Sequence, residues 1–360
     1  MLSFQMMRSK LIGSMEASDN FQFVTINGRV EFVDVERISR IAYYYSKAMK
    51  AGIDLALRGV SLNDAVKELY NIIPYAFYAE TAYKQALALV GNNGNKVEIR
   101  KRWIACRGNK SDKDNRGIKF HVFQDHVEVR VKDPWGKWVY GKAYFGKGYL
   151  PLLKELEELS RRKEESYSAI ISFKDHPEIH LQIPLWLYLK HFSLPKPNGY
   201  GLIAGFDLNS DRLNVVVVNK ESSIVTAKTW WYSEVVSRGF PKDKAKALRL
   251  NALSQALNFL SRVGVDYVVF EDLFLVKKRR RFTRSKSGNR KVSRFAKKQL
   301  LVHGVIKALK LGFNVMLVNP KGTTNSENHD RIMREKGFDR HTASAYLIAL
   351  KGLEVIKNNE

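Results

Sequence analysis

Apolar positions change their period twice along the chain. Between residues 35 and 90 they recur at helical spacing, as in VERISRIAYYYSKAMKAGIDLALRG, and Ser61 with Asp64 three residues on marks a helix start. Pro74 breaks in, a third helix follows, and GNNGN at 91–95 is a stop. A helical bundle is therefore predicted over 31–95. From 96 the period is two: KVEIRKRWI, IKFHVF, HVEVRV and KWVYGKAYF alternate. The short charged helix LPLLKELEELSRRKE interrupts, and YSAIISF and EIHLQIPL resume as strands. This pattern predicts a small antiparallel β-barrel with one inserted helix over 96–195, with residues 1–30 as a segment leading into it. PKPNGYG, at 195–201, reads as a linker.

Residues 200–360 form a separate predicted domain. YGLIAGFDL, RLNVVVVN and SSIVTAKTW are three consecutive strands. A helix over roughly 242–262 precedes the strand VDYVVFE, and a helix from Ser293 to Leu311 ends at Gly312. FNVMLV is the fifth strand, and RHTASAYLIALKGLEVIK fills the last helix. The order matches a ribonuclease H-like α/β fold, although other α/β folds share parts of it.

Charge sharpens the picture. Sixty-one Lys and Arg against 36 Asp and Glu leave a formal charge of +25, the footprint of a nucleic-acid or other polyanion partner. Cys106 is the one cysteine, which excludes an internal disulfide and a Cys-based zinc ribbon. No apolar run reaches the roughly 18 residues of a membrane span, and the expected location is cytoplasmic, at the nucleoid of a prokaryote when DNA is bound.

The acids carry the chemistry. Asp207 ends the first strand of the second domain, Glu271 ends the fourth, and Asp339 opens the last helix. Each has a local reading, as a hairpin turn, a loop cap or a helix N-cap. Together, in this order, they are expected to converge on one sheet edge if the fold is of that kind. Carboxylates that converge repel one another unless cations sit among them. Mg²⁺ prefers oxygen ligands, and two such ions would serve phosphodiester hydrolysis.

GFDLNSDRLNVVVVN resembles the first motif of RuvC-type nuclease domains, YVVFEDLFL the second and DRHTASAYLIALKG the third. The segment SRFAKKQLLVHGVIKALKLGFNVMLVNPKGTT is also similar to the helix, strand and Pro-containing stretch C-terminal to the second motif in the TnpB family. That family comprises transposon-encoded RNA-guided DNA endonucleases related to type V CRISPR effectors. The likeness is specific over about 200–350 and loose over 20–195, where recognition and wedge domains would lie. It implies that Asp207, Glu271 and Asp339 are the metal-binding catalytic acids, with guide RNA and target DNA as partners. Where the family usually carries a four-Cys zinc ribbon, this chain has GTTNSENHDRIMREKG, so no zinc is expected. For the last metal ligand the resemblance puts Asp339 first; in one alignment of the third motif His341 takes that place and ranks second, and Asp330 is a distant third.

Twelve of the 22 residues from Lys277 to Lys298 are Lys or Arg, with no acid among them. Lys277, Lys278, Arg279, Arg280, Arg281, Arg284, Lys286, Arg290, Lys291 and Arg294 are expected to grip a nucleic-acid backbone beside Glu271. Arg100, Arg102, Trp103 and Arg107 form a second expected contact, with ring and cation interleaved. The expected function is RNA-guided, Mg²⁺-dependent DNA cleavage. The alternatives are an RNA-guided DNA binder with weak or no catalysis and an unguided RuvC-like nuclease.

Overall fold

Inward and outward residues alternate along Phe23–Phe32 (β2), with Ile26, Gly28, Val30 and Phe32 buried. In the computed structural model this strand is the centre of a seven-stranded sheet. The structure describes residues 11–12, 22–93, 97, 99, 101–112, 114–173, 175–194, 199–275, 294–324 and 326–358. Part of the predicted linker, 195–198, lies outside them. The chain divides into two compact units, Phe23–Tyr188 and Met1–Gln22 with Leu189–Glu360.

In Phe23–Tyr188, helices α1 (Val35–Leu57), α2 (Leu62–Tyr70) and α3 (Ala76–Asn93) follow β2. Asp34 and Ser61 cap the first two: their side chains accept from Arg37 N and Asp64 N. Then come β3 (Arg102–Cys106), β4 (Ile118–Val122), β5 (Val127–Lys132), β6 (Trp138–Tyr144), α4 (Leu150–Arg161), β7 (Ser168–Phe173) and β8 (Pro177–Pro184), while α5 (Leu185–Phe192) spans the boundary at Tyr188. The sheet order is β3-β7-β8-β2-β6-β5-β4, antiparallel throughout. Here the barrel expectation is corrected. Closure needs β3 and β4 to pair, but they end the ladder, β3 packed on α1 and α3 and β4 on α4.

Buried Asn115 ties this unit together. Its amide nitrogen donates to Cys106 O (2.8 Å) and Tyr167 O (3.2 Å). Its oxygen accepts from Gly117 N (3.0 Å) and Ile118 N (2.9 Å). An Asn115→Ala protein is expected to lose about 3 kcal/mol in a denaturant titration, because four buried backbone groups lose their partner. Cys106 is buried, which pushes its thiol up to about 12 and leaves it unreactive at neutral pH.

In the other unit, β1 (Leu11–Ile12) lies parallel to β13 (Asn314–Val318). The six-stranded order is β1-β13-β12-β9-β10-β11, with β9 (Leu202–Leu208), β10 (Arg212–Val218), β11 (Ile224–Trp231) and β12 (Val265–Glu271). β9, β10 and β11 are antiparallel neighbours, whereas β12 runs parallel to both β9 and β13. Helices α6 (Lys242–Val263), α7 (Arg294–Lys310), α8 (Glu327–Lys336) and α9 (Arg340–Lys357) complete it. Every residue of β9 is buried, as a central strand with both faces covered requires. No helix among the described residues is long and apolar enough to cross a membrane.

The packing of α9 decides what reaches the sheet edge. Ala343, Ala345, Ile348, Ala349 and Leu353 are buried with Ile203, Val216, Val269 and Met316. A Cβ on Gly205 would fall 2.2 Å from Ala345 O and 2.4 Å from Ala349 N, so backbone meets backbone there. Side chains alternate along a strand, so Asp207 shares a face with Ile203 and Gly205, and Glu271 shares one with Val269. Both acids therefore stand on the face that α9 covers.

Candidate active site

β9 and β12 are adjacent and parallel, with Phe206 opposite Phe270 in register. The next residues along, Asp207 and Glu271, thus sit side by side where the two strands end. Asp207 is buried, and its Oδ2 is 2.8 Å from His341 Nδ1 and accepts from Asn209 Nδ2 at 2.6 Å. His341 Nδ1 is also 3.1 Å from Asn209 Nδ2. Lys297, on α7, donates to Asn209 Oδ1 at 2.9 Å. Glu271 Oε1 accepts from the hydroxyl of fully buried Thr323.

Burial pushes the Glu271 carboxyl above its ordinary value, and the negative charge of Asp207 adds to this. Thr323, Lys297 and Lys351 pull the other way without reversing it. Asn214 is the register partner of Asp207 on β10 and is buried, and its Oδ1 accepts no hydrogen bond. Two neighbouring strand-end carboxylates, an imidazole and an orphaned amide oxygen are the donor chemistry a hard divalent cation takes. The residues fit Mg²⁺ in that sense. Among the described residues, no three His, Cys, Asp or Glu side chains are already gathered as a ligand set.

Asp339 is placed differently. Its carboxylate caps α9, accepting from His341 N (2.8 Å), Thr342 N (3.1 Å) and Thr342 Oγ1 (2.6 Å). These bonds hold its carboxyl below the usual range against the opposing effect of burial. The structure therefore pairs His341 with Asp207, the strand-end neighbour of Glu271, while Asp339 caps the helix start that presents His341. Asp330 is exposed on α8, its carboxylate 3.6 Å from His329 Nδ1. His329 is buried, with its Nε2 2.9 Å from Arg340 O, so α8 braces the same first turn of α9.

Asn209, Lys297 and Thr323 escaped the sequence reading. Asn209 carried a signal, since period two puts it on the side of Asp207. Lys297 was one of the twelve cations of the 277–298 run, with nothing in the sequence to single it out. Lys277, Lys278, Arg279, Arg280, Arg281, Arg284, Lys286, Arg290 and Lys291 lie outside the described residues, as does Arg100. Arg294 opens α7, and its side chain is likewise undescribed. Arg102 is exposed at the start of β3, whereas Trp103 is partly buried, its Nε1 donating to Gln85 Oε1 at 3.0 Å. Exposed Arg107 lines an open cavity of about 550 Å³ with Lys84 and Lys110.

The protein SSO2105 of Saccharolobus solfataricus is 65% identical over 368 residues, spanning 99% of this chain and 100% of that one. The chain belongs to the SSO2105 family. The SSO2105 N-terminal domain matches residues 23–193. A protein of Aeropyrum pernix is 31% identical over 231 residues, 59% of this chain and 60% of its own. Among solved structures, a chain of a Cas12f1-sgRNA-target DNA complex aligns over 87% of this family member and 81% of itself, at 10% identity and a TM-score of 0.43. RuvC of Thermus thermophilus aligns over 44% of this chain and 96% of itself, at 17% identity and a TM-score of 0.32. Likeness at that level assigns no activity.

Proposed function

We propose that the chain is a Mg²⁺-dependent DNA endonuclease of the TnpB type, built on a ribonuclease H-like domain and directed by a bound guide RNA. One observation carries the nuclease reading: Asp207 and Glu271 stand together at the ends of adjacent parallel strands, with His341 bonded to Asp207. The three sequence motifs and the charge of +25 support it. RNA guidance rests on the resemblance of those motifs.

Asp207, Glu271 and His341 are the residues that would hold metal. Bound Mg²⁺, as one ion or two, supplies Lewis-acid activation of water and charge neutralisation at the scissile phosphate. Asn209 holds the Asp207 carboxylate in one orientation, and Lys297 holds Asn209. Thr323 does the same for Glu271. Asp339 acts through the helix, by capping the turn that carries His341.

A second reading is favoured by the engagement of Asp339 within its own helix: a guide-dependent DNA binder that does not cut. One experiment separates the two. The protein is purified from its native locus, co-purifying RNA is sequenced, and plasmid cleavage is followed with Mg²⁺. Discrete RNA and cleavage are expected, with cleavage lost in Asp207→Ala by roughly 10³-fold, about 4 kcal/mol of barrier. Cutting that survives Asp207→Ala overturns the site. RNA and target binding without cutting selects the second reading, and cutting without RNA selects an unguided nuclease.

A further inference from the structure

One face of α1 is a stripe of cations and rings. Arg37, Arg40, Tyr43, Lys47 and Lys50 are exposed and recur three or four residues apart, while Ile38, Ile41, Ala42, Tyr45, Ala48 and Met49 are buried. Between Glu36 and Asp54 the sequence holds four Lys or Arg and no acid. At 1.5 Å per residue the stripe from Arg37 to Lys50 extends about 20 Å.

Its rings are held before any ligand arrives. Tyr43 packs edge-on against Tyr44 with centroids 5.4 Å apart, and Tyr44 lies 4.7 Å from Trp135. The Lys47 ammonium sits 4.7 Å over Tyr43, and the Arg102 guanidinium 5.6 Å over the same ring. Arg40 lies 5.1 Å over Trp135. Trp135 belongs to the turn between β5 and β6, which Asp133 anchors. That buried carboxylate accepts from Trp135 N at 3.0 Å and pairs with Arg40 at 3.1 Å and Arg37 at 3.4 Å. Even so, Tyr43 and Trp135 each remain 41% exposed.

Rigid exposed rings, each faced by a cation, match a ligand with flat π-faces and regular negative charge. Unpaired nucleotides have both, whereas a duplex hides its base faces. A lipid surface would instead call for long aliphatic side chains on the exposed stripe, and it carries none. We propose that α1, with Trp135 and Arg102, binds a single-stranded segment of nucleic acid. Bases stack on Tyr43 and Trp135, and phosphates lie along Arg40, Lys47 and Lys50. This rests on the nucleic-acid partner proposed above but on none of the residues around Asp207.

The test is fluorescence anisotropy of the full chain with a labelled single strand of about 15 nucleotides, in EDTA, against a blunt duplex of the same sequence. Tyr43→Ala and Trp135→Ala are each expected to weaken single-strand binding about tenfold and leave duplex binding unchanged. Tyr43→Phe and Trp135→Phe stay within about twofold of wild type, since stacking survives. Lys47→Gln with Lys50→Gln, both on the surface, lowers the slope of log affinity against log salt by about 1.4. Alanine variants with the wild-type unfolding midpoint and undiminished single-strand binding overturn the proposal, as does an unchanged salt slope. Equal losses for duplex overturn it too, and so does ring-dependent sedimentation with acidic vesicles. Because EDTA prevents metal-dependent cleavage, a chain that cuts no DNA can still pass this test.

Discussion

Gly205→Val is expected to remove more than about 3 kcal/mol of folding stability, read as a shift of the denaturant midpoint. The new Cβ would lie 2.2 Å from Ala345 O and 2.4 Å from Ala349 N. Both are backbone atoms of α9, so no rotamer change relieves the clash and the helix must lift from β9. With it would move His341, whose ring reaches Asp207 only because α9 lies this close. Gly352→Ala is the control. Its Cβ would meet side-chain atoms alone, Val269 Cγ2 at 2.4 Å with Met316 Cε and Val269 Cγ1 at 3.2 Å, so the strain falls on core packing and not on backbone against backbone. A smaller cost of about 2 kcal/mol is expected there. A Gly205→Val protein that unfolds like wild type would show that α9 does not set the site.

Glu271→Gln is expected to act in two directions. Cleavage should fall by roughly 10³-fold, because a neutral amide is a poor ligand for a hard cation. Metal-free stability should rise by a few degrees in unfolding midpoint. The sign comes from the carboxyl being pushed up by burial and by Asp207: at neutral pH the folded state penalises the ionised form more than the unfolded chain does. Glutamine keeps the shape, and its carbonyl can still accept from Thr323. Adding Mg²⁺ should raise the midpoint of the wild type and leave that of the variant where it was. Scanning calorimetry with and without Mg²⁺ reads both effects. A variant less stable than wild type in EDTA, or one that cuts normally, defeats the account of Glu271.

Strict alternation made β4–β8 legible, and continuous apolar runs such as VVVV in β10 marked buried central strands. Helical spacing exposed α1 and α2, and their caps, Asp34 and Ser61 respectively, reflect local chemistry. Where the reading failed, the deciding partner was remote in sequence. β1 is two residues long and is a strand only because Val315 and Met316 pair with it. β2 is long, but its place at the centre of the sheet depends on β6 and β8, more than a hundred residues away. Helix α8 fills a segment whose composition showed only the absence of cysteine.

The amino-acid order alone determined the two acids at strand ends, because an apolar run followed by Asp or Glu is a local fact. It also determined the last helix and its N-terminal Asp339, since capping needs only the adjoining helix. Which of two side chains reaches Asp207 was decided by tertiary packing. Asp339 and His341 lie two residues apart, and the third motif put Asp339 ahead of His341. The cap turned Asp339 into its own helix, and the close seat of α9 at Gly205 carried His341 to Asp207. Barrel closure was decided the same way: alternation marks strands, but pairing is set by partners remote in sequence, and β3 and β4 stand at opposite ends of the ladder.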